Sequence, residues 1–375
     1  MLAACTLLAL NGCSRFRPKP VYPSVYVVYK QTFLRDRVAA VSNRTATVTN
    51  GQELKVLEKG RRFLKVQTAN GEVGWIDEKA VATQEIVDGF RALAAQHQKD
   101  STVATAVVRD EVYLHVKPGR ETDRFFLLQE NEKLKLLARA TLPKALPKGQ
   151  RPPAPATPAA AGKPAAAGED QSAAPVMEDW WLVRDAKGDT GWIYSRMIDV
   201  DVPDAVGRYA EGQRFVGAYV LTTVYDPDAE QADKNIPIYL TVLSPYKAGL
   251  PYDFDQVRVF TWNIKKHRYE TAFRDKNIEG FLPVKIEQAR DAYAKVPQAS
   301  MPAPTFTYRV LAADAPTAVP DPVTGAVIPA RTVEKTYRLE GNVTRRLLQP
   351  GTPAPAEAHP EPPAEKKKPA GRRRR

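Results

Sequence analysis

The sequence contains the same 19-residue pattern twice, and this repeat constrains the fold more than any other feature. FLKVQTANGEVGWIDEKAV begins at Phe63 and WWLVRDAKGDTGWIYSRMI begins at Trp180, an offset of 117 residues without a gap. In each copy a hydrophobic run leads to a turn that contains Gly71 or Gly188, and a second run then begins with Gly-Trp-Ile. Glycine accepts the positive φ of tight hairpin turns, so each copy predicts a β-hairpin. The glycine before each tryptophan predicts close backbone packing or a bulge.

The repeat continues upstream of these hairpins. TFLRDRVAAVSNRTATVTNGQELKVLEKG, from Thr32, aligns with VYLHVKPGRETDRFFLLQENEKLKLLARA, from Val112, at an offset of 80 residues. The two offsets differ by 37 residues, which are inserted into the second copy, and such a loop costs little closure entropy. The insertion, residues 142–176, is rich in proline and alanine, so we predict that it is disordered.

The motifs of both copies resemble those of bacterial SH3-like (SH3b) domains. The resemblance is carried by an apolar strand and a later Gly-x-x-Gly-Trp-Ile segment in each copy: Leu54–Leu57, Gly71–Ile76, Leu134–Leu137 and Gly188–Ile193. It implies two small β-barrels, at residues 25–83 and 101–200, and recognition of cell-wall peptides. The first copy has Leu34-Arg35-Asp36 where the family usually has Asn-Val-Arg. The resemblance therefore favours the second copy as the one with a ligand site.

The N-terminal segment, residues 1–13, is predicted to direct export. An apolar run, Leu2–Leu10, precedes a small residue and a cysteine, and basic, proline-containing sequence follows. Leu10–Cys13 resembles a bacterial lipobox, which implies lipid on Cys13, with residues 14–24 as a tether. This predicts a protein of the cell envelope, anchored by lipid to a membrane and facing the periplasm or the exterior. The alternative is an apolar signal segment, or a start codon assigned at the wrong position, with no lipid.

Several chemistries have no support in the composition. Both cysteines, Cys5 and Cys13, lie in the first 13 residues, so the remaining chain has no disulfide framework, cysteine nucleophile or cysteine zinc cluster. No Gly-x-Ser-x-Gly nucleophile motif is present. The histidines fall in four different predicted elements, which does not predict a zinc centre: His97, His115, His267 and His359. We therefore predict a protein that is not an enzyme and holds neither metal nor cofactor.

Residues 84–100 predict a linker helix, because Ile86, Phe90 and Leu93 recur at helical spacing. We expect its apolar stripe to pack on a neighbouring barrel, with partner binding as the alternative. Residues 205–347 contain many strand-like runs and little helical periodicity, which predicts an antiparallel sheet domain. Part of it resembles a single blade of a β-propeller, but one blade predicts a self-contained sheet and not a ring.

Charge and proline content describe the remaining segments. The acidic segment 226–233 is interpreted as an ordinary loop, with a calcium site as the alternative. The tail, residues 348–375, combines proline with runs of lysine and arginine and is predicted to be disordered. The formal net charge of +12 suits contact with an anionic surface, and export makes nucleic acid the less favoured partner.

The sequence thus predicts a mainly β protein. Two small SH3-like β-barrels precede a C-terminal antiparallel β-sheet domain, and the Pro/Ala-rich insertion and the tail are disordered.

Aromatic residues of the second copy predict its ligand site. Trp180 and Trp181 are adjacent in a strand and point to opposite faces, so we expect one in the core and the other exposed. An exposed tryptophan beside Tyr113 would form a flat apolar platform for a peptide or a sugar. Trp192, like Trp75 in the first copy, is expected to pack in the barrel core, with ligand binding as the alternative. The candidate ligand-binding residues are therefore Tyr113, Trp180, Trp181 and Trp192.

Three functions remain open at this point. The favoured one is a non-enzymatic envelope lipoprotein, held to the membrane through lipid on Cys13, whose barrels bind cell-wall peptide or an envelope protein. The second is a structural or assembly lipoprotein whose barrels are spacers without a ligand. The third is an envelope hydrolase with an unrecognised site in residues 205–347. The sequence does not indicate the oligomeric state.

Overall fold

The computed structural model describes residues 22–145, 175–291, 293–294 and 300–359. The predicted signal segment, Cys13 and most of the tether lie outside these residues. So do most of the Pro/Ala-rich insertion and the basic end of the tail, so their predicted disorder stays a prediction.

The described chain is mainly β and its sheets are antiparallel, which confirms the predicted fold class. It contains three seven-stranded sheets. The chain divides into two compact units, Met1–Asp88 and Gly89–Arg375. The first sheet belongs to the first unit, and the second and third sheets belong to the second unit.

The first sheet, called the first barrel below, contains the first copy of the repeat. Its strands are β1 (Val25–Val27), β2 (Gln31–Arg35), β3 (Arg44–Thr49), β4 (Glu53–Lys59), β5 (Phe63–Gln67), β6 (Val73–Asp77) and β7 (Val81–Thr83). They lie in the order β3-β2-β6-β5-β4-β1-β7. Alternate apolar side chains fill its core, among them Leu34, Val48, Leu54, Val66 and Ile76. The β5–β6 turn uses Gly71 at φ 85°, as the hairpin pattern predicted.

The second sheet, called the second barrel, has the same topology. Its strands are β8 (Ala104–Val108), β9 (Val112–His115), β10 (Arg124–Leu128), β11 (Lys133–Pro143), β12 (Met177–Arg184), β13 (Thr190–Tyr194) and β14 (Ile198–Val200). Their order, β10-β9-β13-β12-β11-β8-β14, is that of the first barrel strand for strand. Gly188, at φ 95°, occupies the turn equivalent to Gly71. The repeat in the sequence is therefore a repeat of topology.

Along the chain, helix α1 (Gln84–Gln96) connects the first copy of the repeat to the second. Phe90 is buried at 1% exposure, and its ring lies 5.3 Å from that of Phe126 and 6.2 Å from that of Phe125, both on β10. The part of the helix that belongs to the second unit, from Gly89 onward, thus packs on the second barrel. Packing on a neighbouring barrel is the option that the sequence favoured. The backbone carbonyl of His97, just past the helix, accepts a hydrogen bond from Arg184 of β12.

The third sheet is a meander in which each strand pairs with the next. A short helix, α2 (Asp204–Gly207), precedes it. Its strands are β15 (Gln213–Tyr225), β16 (Asn235–Pro245), β17 (Phe254–Asn263), β18 (Arg268–Ala289), β19 (Ala303–Leu311), β20 (Thr332–Glu340) and β21 (Val343–Arg346). The segment that resembles a propeller blade, residues 258–284, covers the second half of β17, the turn after it and most of β18. Residues 356–358, from the predicted tail, hydrogen-bond to residues 311–313 next to this sheet.

The β11–β12 hairpin is longer than its counterpart β4–β5 and joins the second barrel to the third sheet. Its additional residues include Thr141, whose backbone nitrogen donates to the carbonyl oxygen of Gly325 at 2.7 Å. They also include Asp179, which is fully buried and accepts a hydrogen bond from the backbone nitrogen of Gly249 at 3.1 Å. In the sequence the Pro/Ala-rich insertion stands between β11 and β12. The second copy therefore differs from the first both by this insertion and by the longer strands on either side of it.

Candidate binding surfaces of the two barrels

In both barrels the Gly-Trp-Ile strand places tryptophan and isoleucine on opposite faces. Ile76 and Ile193 are buried, at 2% and 0% exposure, whereas Trp75 and Trp192 are half-buried. The expectation that these tryptophans pack in the barrel cores is therefore wrong. Side chains alternate along a strand, and the core-facing position belongs to the isoleucine.

The glycine before each tryptophan allows close packing of neighbouring strands. A Cβ added at Gly74 would lie 2.7 Å from the Cβ of Leu34, and one at Gly191 would lie 2.8 Å from the Cβ of Leu114. Such separations are shorter than a van der Waals contact, so a larger residue would push β2 or β9 away. The close packing that the sequence predicted at these glycines is confirmed.

The first barrel has a pocket of about 410 Å³ on its outer face. Three neighbouring strands, β2, β6 and β5, contribute Phe33, Trp75 and Phe63 to its lining. Arg35, Arg37 and Asp77 add two positive charges and one negative charge. The pocket thus combines aromatic surface with groups that can pair with a carboxylate and with an ammonium group.

The loop after β2 forms one wall of this pocket and is held closed at its base. The backbone nitrogen and the side-chain amide of Asn43 donate to the two carboxylate oxygens of Asp36, at 2.9 and 3.1 Å. Arg35 Nη1 donates to Ser42 Oγ at 2.9 Å. Val38, within the loop, is 51% exposed beside the pocket. These bonds hold the wall in place before any ligand arrives, which reduces the ordering cost of binding.

The equivalent face of the second barrel is filled by its own side chains. His115 and Tyr194 lie against Trp180, with ring centroids 5.2 and 5.7 Å from its ring. The Arg120 guanidinium lies 4.8 Å from the centre of the Tyr194 ring and donates from Nε to both oxygens of Glu178, at 2.9 and 3.1 Å. Glu178 belongs to the additional residues of the β11–β12 hairpin, so the longer hairpin helps to cover this face.

The structure brings together only part of the candidate ligand site. Trp180 and Trp181 are 2% and 7% exposed, so the expectation that one of them is exposed is wrong. Trp180 lies beneath the aromatic rings just described, and Trp181 lies on the core-facing side with Ile193 as its cross-strand neighbour. Tyr113 and Trp192 are half-buried on the face of Trp180, opposite to Trp181. Their role in ligand binding stays a prediction.

Electrostatics also distinguish the two faces. At the position of Arg35 in the first barrel, the second barrel has His115. Burial lowers the pKa of His115, and the positive charge of Arg124 lowers it further, so His115 is neutral at pH 7. Each barrel also stacks an arginine on an aromatic ring, Arg44 on Phe33 and Arg124 on Tyr113, at 3.8 and 4.9 Å from the ring centre. The first barrel therefore offers an additional cation beside its pocket.

The residues of the first-barrel pocket, chiefly Phe33, Arg35, Phe63 and Asp77, were not among the ligand-binding residues predicted from the sequence. The repeat could have identified them, because they align with Tyr113, His115, Trp180 and Tyr194. It could not show that one face is open and the other filled, since this depends on the length of a hairpin and on the path of a loop.

Other chemistry has little support in the part of the chain that is described. No group of three or more His, Cys, Asp and Glu residues is arranged to hold a metal ion there. His267 Nδ1 lies 3.0 Å from Asp226 Oδ2, and the same oxygen accepts a hydrogen bond from Trp262 Nε1 at 2.7 Å. Asp226 is fully buried, and these hydrogen bonds, first that from Trp262, lower its pKa. Asp226 thus connects the acidic loop to the β17–β18 turn through hydrogen bonds.

Within the described residues no helix is long and apolar enough to cross a membrane.

Among the comparisons with known proteins, the one that carries an argument concerns the first barrel. No curated protein matches the chain. Solved structures that match include NlpC2 from Trichomonas vaginalis, with 8% identity and a TM-score of 0.15 over 58% of this chain and 62% of that one. NlpC1 from the same organism has 9% identity and a TM-score of 0.15 over 60% and 63%. An NlpC/P60 family protein from Bacillus cereus ATCC 10987 has 11% identity and a TM-score of 0.21 over 66% and 98%.

TM-scores this low carry no argument about fold or activity. The chain also spans less than two thirds of the two Trichomonas chains, at 62% and 63%. The informative match is to a family model. Residues 31–82, which include β2 to β6 and the pocket residues Phe33, Arg35, Phe63, Trp75 and Asp77, match the model of the bacterial SH3 domain.

Proposed function

We propose that the protein is a non-enzymatic binding protein of the bacterial cell envelope whose first barrel binds cell-wall peptide. The observation that carries this proposal is the pocket formed by Phe33, Phe63 and Trp75 within the segment that matches the bacterial SH3 domain. Bacterial SH3 domains commonly bind cell-wall components, which supports this class of ligand.

The chemistry of the pocket fits a short peptide with charges of both signs. Aromatic faces bury the flat and aliphatic parts of a peptide, which is the main source of affinity in such sites. Arg35 suits a peptide carboxylate and Asp77 suits an amino group. Cell-wall peptides carry both groups, whereas a purely apolar ligand would leave these two side chains unused.

We also propose that the second barrel acts as a spacer and ligand binding falls to the first. The observation in favour is that Trp180, His115 and Tyr194 pack on one another where the first barrel has its pocket. The two functions that the sequence left open for the barrels, binding and spacing, are then divided between them. A hydrolase site in residues 205–347 has no such support among the described residues.

Export and lipid on Cys13 complete the proposal and rest on the lipobox-like segment Leu10–Cys13. Lipid at this position would attach the chain to a membrane, and residues 14–24 would keep the first barrel near its surface. The intact mass of the protein isolated from host membranes tests this. Cleavage before Cys13 with added acyl chains, lost in Cys13→Ala, is the expected result, and an uncleaved, unmodified chain would contradict it.

Substitution of Trp75 tests the binding proposal. Trp75→Ala removes the central aromatic surface of the pocket, and we expect roughly 10- to 30-fold weaker binding, the effect of losing an anchoring aromatic side chain. The measurement is co-sedimentation of the full chain with purified peptidoglycan at about 0.15 M salt, where exposed charges are largely screened.

Trp192→Ala is the matched control, because it removes the same residue from the equivalent place in the second barrel. It should leave binding within about twofold of the wild type, since most substitutions outside the anchoring residues change affinity little. Thermal unfolding of both variants shows that each is folded. If Trp192→Ala weakens binding and Trp75→Ala does not, the ligand site is on the second barrel. If neither substitution weakens binding, the pocket is not the site.

A further inference from the structure

A second cavity lies within the second unit, between the second barrel and the start of the third sheet. Its volume is about 560 Å³. The barrel contributes Arg109, Arg196 and Asp199 to its lining, and the segment after β16 contributes Tyr246 and Lys247. Two domains therefore supply its walls, which is a common location for a small-molecule site.

Buried ion pairs hold the floor of this cleft in a fixed geometry. Arg139, with a side chain 5% exposed, donates from Nε to Asp253 Oδ1 at 2.8 Å. Arg214 Nη2 donates to Asp179 Oδ2 at 3.2 Å. Asp179 is fully buried and Asp253 is 13% exposed, so water competes little for these bonds. Because each pair joins the barrel to the sheet, the two walls of the cleft are held at a set separation.

The wall formed by β15 and β16 has two buried polar atoms without a hydrogen-bond partner among the described residues, Arg214 Nε and Ser244 Oγ. Arg214 and Ser244 are direct cross-strand neighbours, and Arg214 lines the cleft. Leaving such a group unpaired costs about 1–3 kcal/mol. Both atoms are buried and Ser244 does not line the cleft, so they belong to the interior of this wall and do not themselves contact a molecule in the cleft.

Once the ion pairs of the lining are considered, two cations and one exposed carboxylate, Asp204, remain, which leaves a small excess of positive charge. Arg109 is paired with Asp199, and Asp201 is paired with Lys133. Arg196 and Lys247, one from each domain, are exposed and have no ion-pair partner in the described part of the chain. Tyr246, next to Lys247, is 74% exposed. Two cations without an ion-pair partner among the described residues thus line the cleft together with an exposed aromatic ring.

We propose that this cleft binds an oxyanion, a carboxylate or a phosphate group, on a molecule whose flat or apolar part contacts Tyr246. Arg196 and Lys247, one from each domain, supply the positive charge for the anion. Arginine and lysine are the usual protein partners of such groups. The site is independent of the first-barrel pocket and of cell-wall binding.

Binding of two simple probes to the full chain tests this proposal. Inorganic phosphate and glutarate are titrated at constant ionic strength and followed by calorimetry and by thermal shift. We expect saturable binding of at least one probe, and at least 10-fold weaker binding in the double variant Arg196→Gln/Lys247→Gln. Lys265→Gln/Lys276→Gln, exposed residues of the third sheet with the same change in net charge, is the matched control and should bind as the wild type does.

The comparison between probes distinguishes the two sources of oxyanion. Binding of phosphate alone indicates a phosphate ester, and binding of glutarate alone indicates a carboxylate ligand. Trp75→Ala should leave either result unchanged, so the outcome does not depend on the first barrel. Absence of saturable binding, or equal losses in both double variants, would overturn the proposal, because either result would mean that only general screening of charge is present.

Discussion

One carboxylate of the second barrel occupies a place that disfavours its charge. Asp189 lies in the β12–β13 turn, where Asp185 Oδ1 accepts a hydrogen bond from its backbone nitrogen at 2.8 Å. Burial raises the pKa of Asp189 to about 6, and the nearby charge of Asp185 adds to the effect. The folded chain therefore retains a proton that the unfolded chain has already lost at about pH 4.

Asp189→Asn should remove a pH-dependent loss of stability. The folded-state pKa of this acid is raised, so the folded protein is most stable, as far as Asp189 is concerned, below about pH 4. The free energy of unfolding then falls as the pH rises to about 6 and does not change further above that pH. The Asn variant should match the wild type near pH 4 and exceed its free energy of unfolding by about 1 kcal/mol at pH 7.5, after allowance for partial hydration.

Urea unfolding at several pH values measures this difference. Asp123→Asn, an exposed aspartate of the same barrel, is the control and should show no such trend. A difference between Asp189→Asn and the wild type that does not change between pH 4 and 7.5 would contradict the assigned cause.

At the scale of strands and helices, the repeat made the two hairpins and their glycine turns predictable. The face of each aromatic residue was not predictable, because adjacent positions such as Trp75 and Ile76, or Trp180 and Trp181, are all hydrophobic. Which one enters the core is decided by the side chains across the barrel, and periodicity in one strand does not contain that information. The open pocket of the first barrel likewise depends on contacts between Asp36 and Asn43 across a loop.

Helix α1 was predictable from its spacing, and its contact with the second barrel leads to a prediction at this scale. Phe90→Ala should lower the free energy of unfolding of the second unit by about 3–5 kcal/mol, the usual effect of removing a buried phenylalanine. Phe90 is 1% exposed and packs on Phe125 and Phe126, so its removal leaves a cavity.

Chemical denaturation with a spectroscopic probe of the second barrel measures this loss. Gln96→Ala, an exposed position of the same helix, should change stability by less than about 0.5 kcal/mol. A loss below about 1 kcal/mol in Phe90→Ala would mean that the end of α1 contributes little to the stability of the barrel.

For the second unit as a whole, the main question is whether the second barrel and the third sheet unfold together. Asp179 is the central residue of their contact, because it is fully buried and accepts hydrogen bonds from Thr141 Oγ1 at 2.8 Å and Arg214 Nη2 at 3.2 Å. Arg139 Nη1 lies 3.6 Å from the same carboxylate. A buried charge is tolerated only when ion-pair and hydrogen-bond partners compensate for the lost contact with water. Loss of any one of these partners should therefore destabilise the contact between the barrel and the sheet.

Asp179→Ala should therefore uncouple the two domains. It removes the carboxylate that pairs with Arg214, while Arg139 loses its more distant partner and keeps Asp253. Removal of one partner from a buried pair costs about 3–5 kcal/mol. We expect one calorimetric transition for the wild-type second unit and two for the variant. Asp199→Ala, which breaks the exposed pair with Arg109, should cost at most about 1 kcal/mol and keep a single transition. If both variants unfold as the wild type does, the barrel and the sheet are joined by their backbone contacts at Thr141 and Gly325 and not by charge.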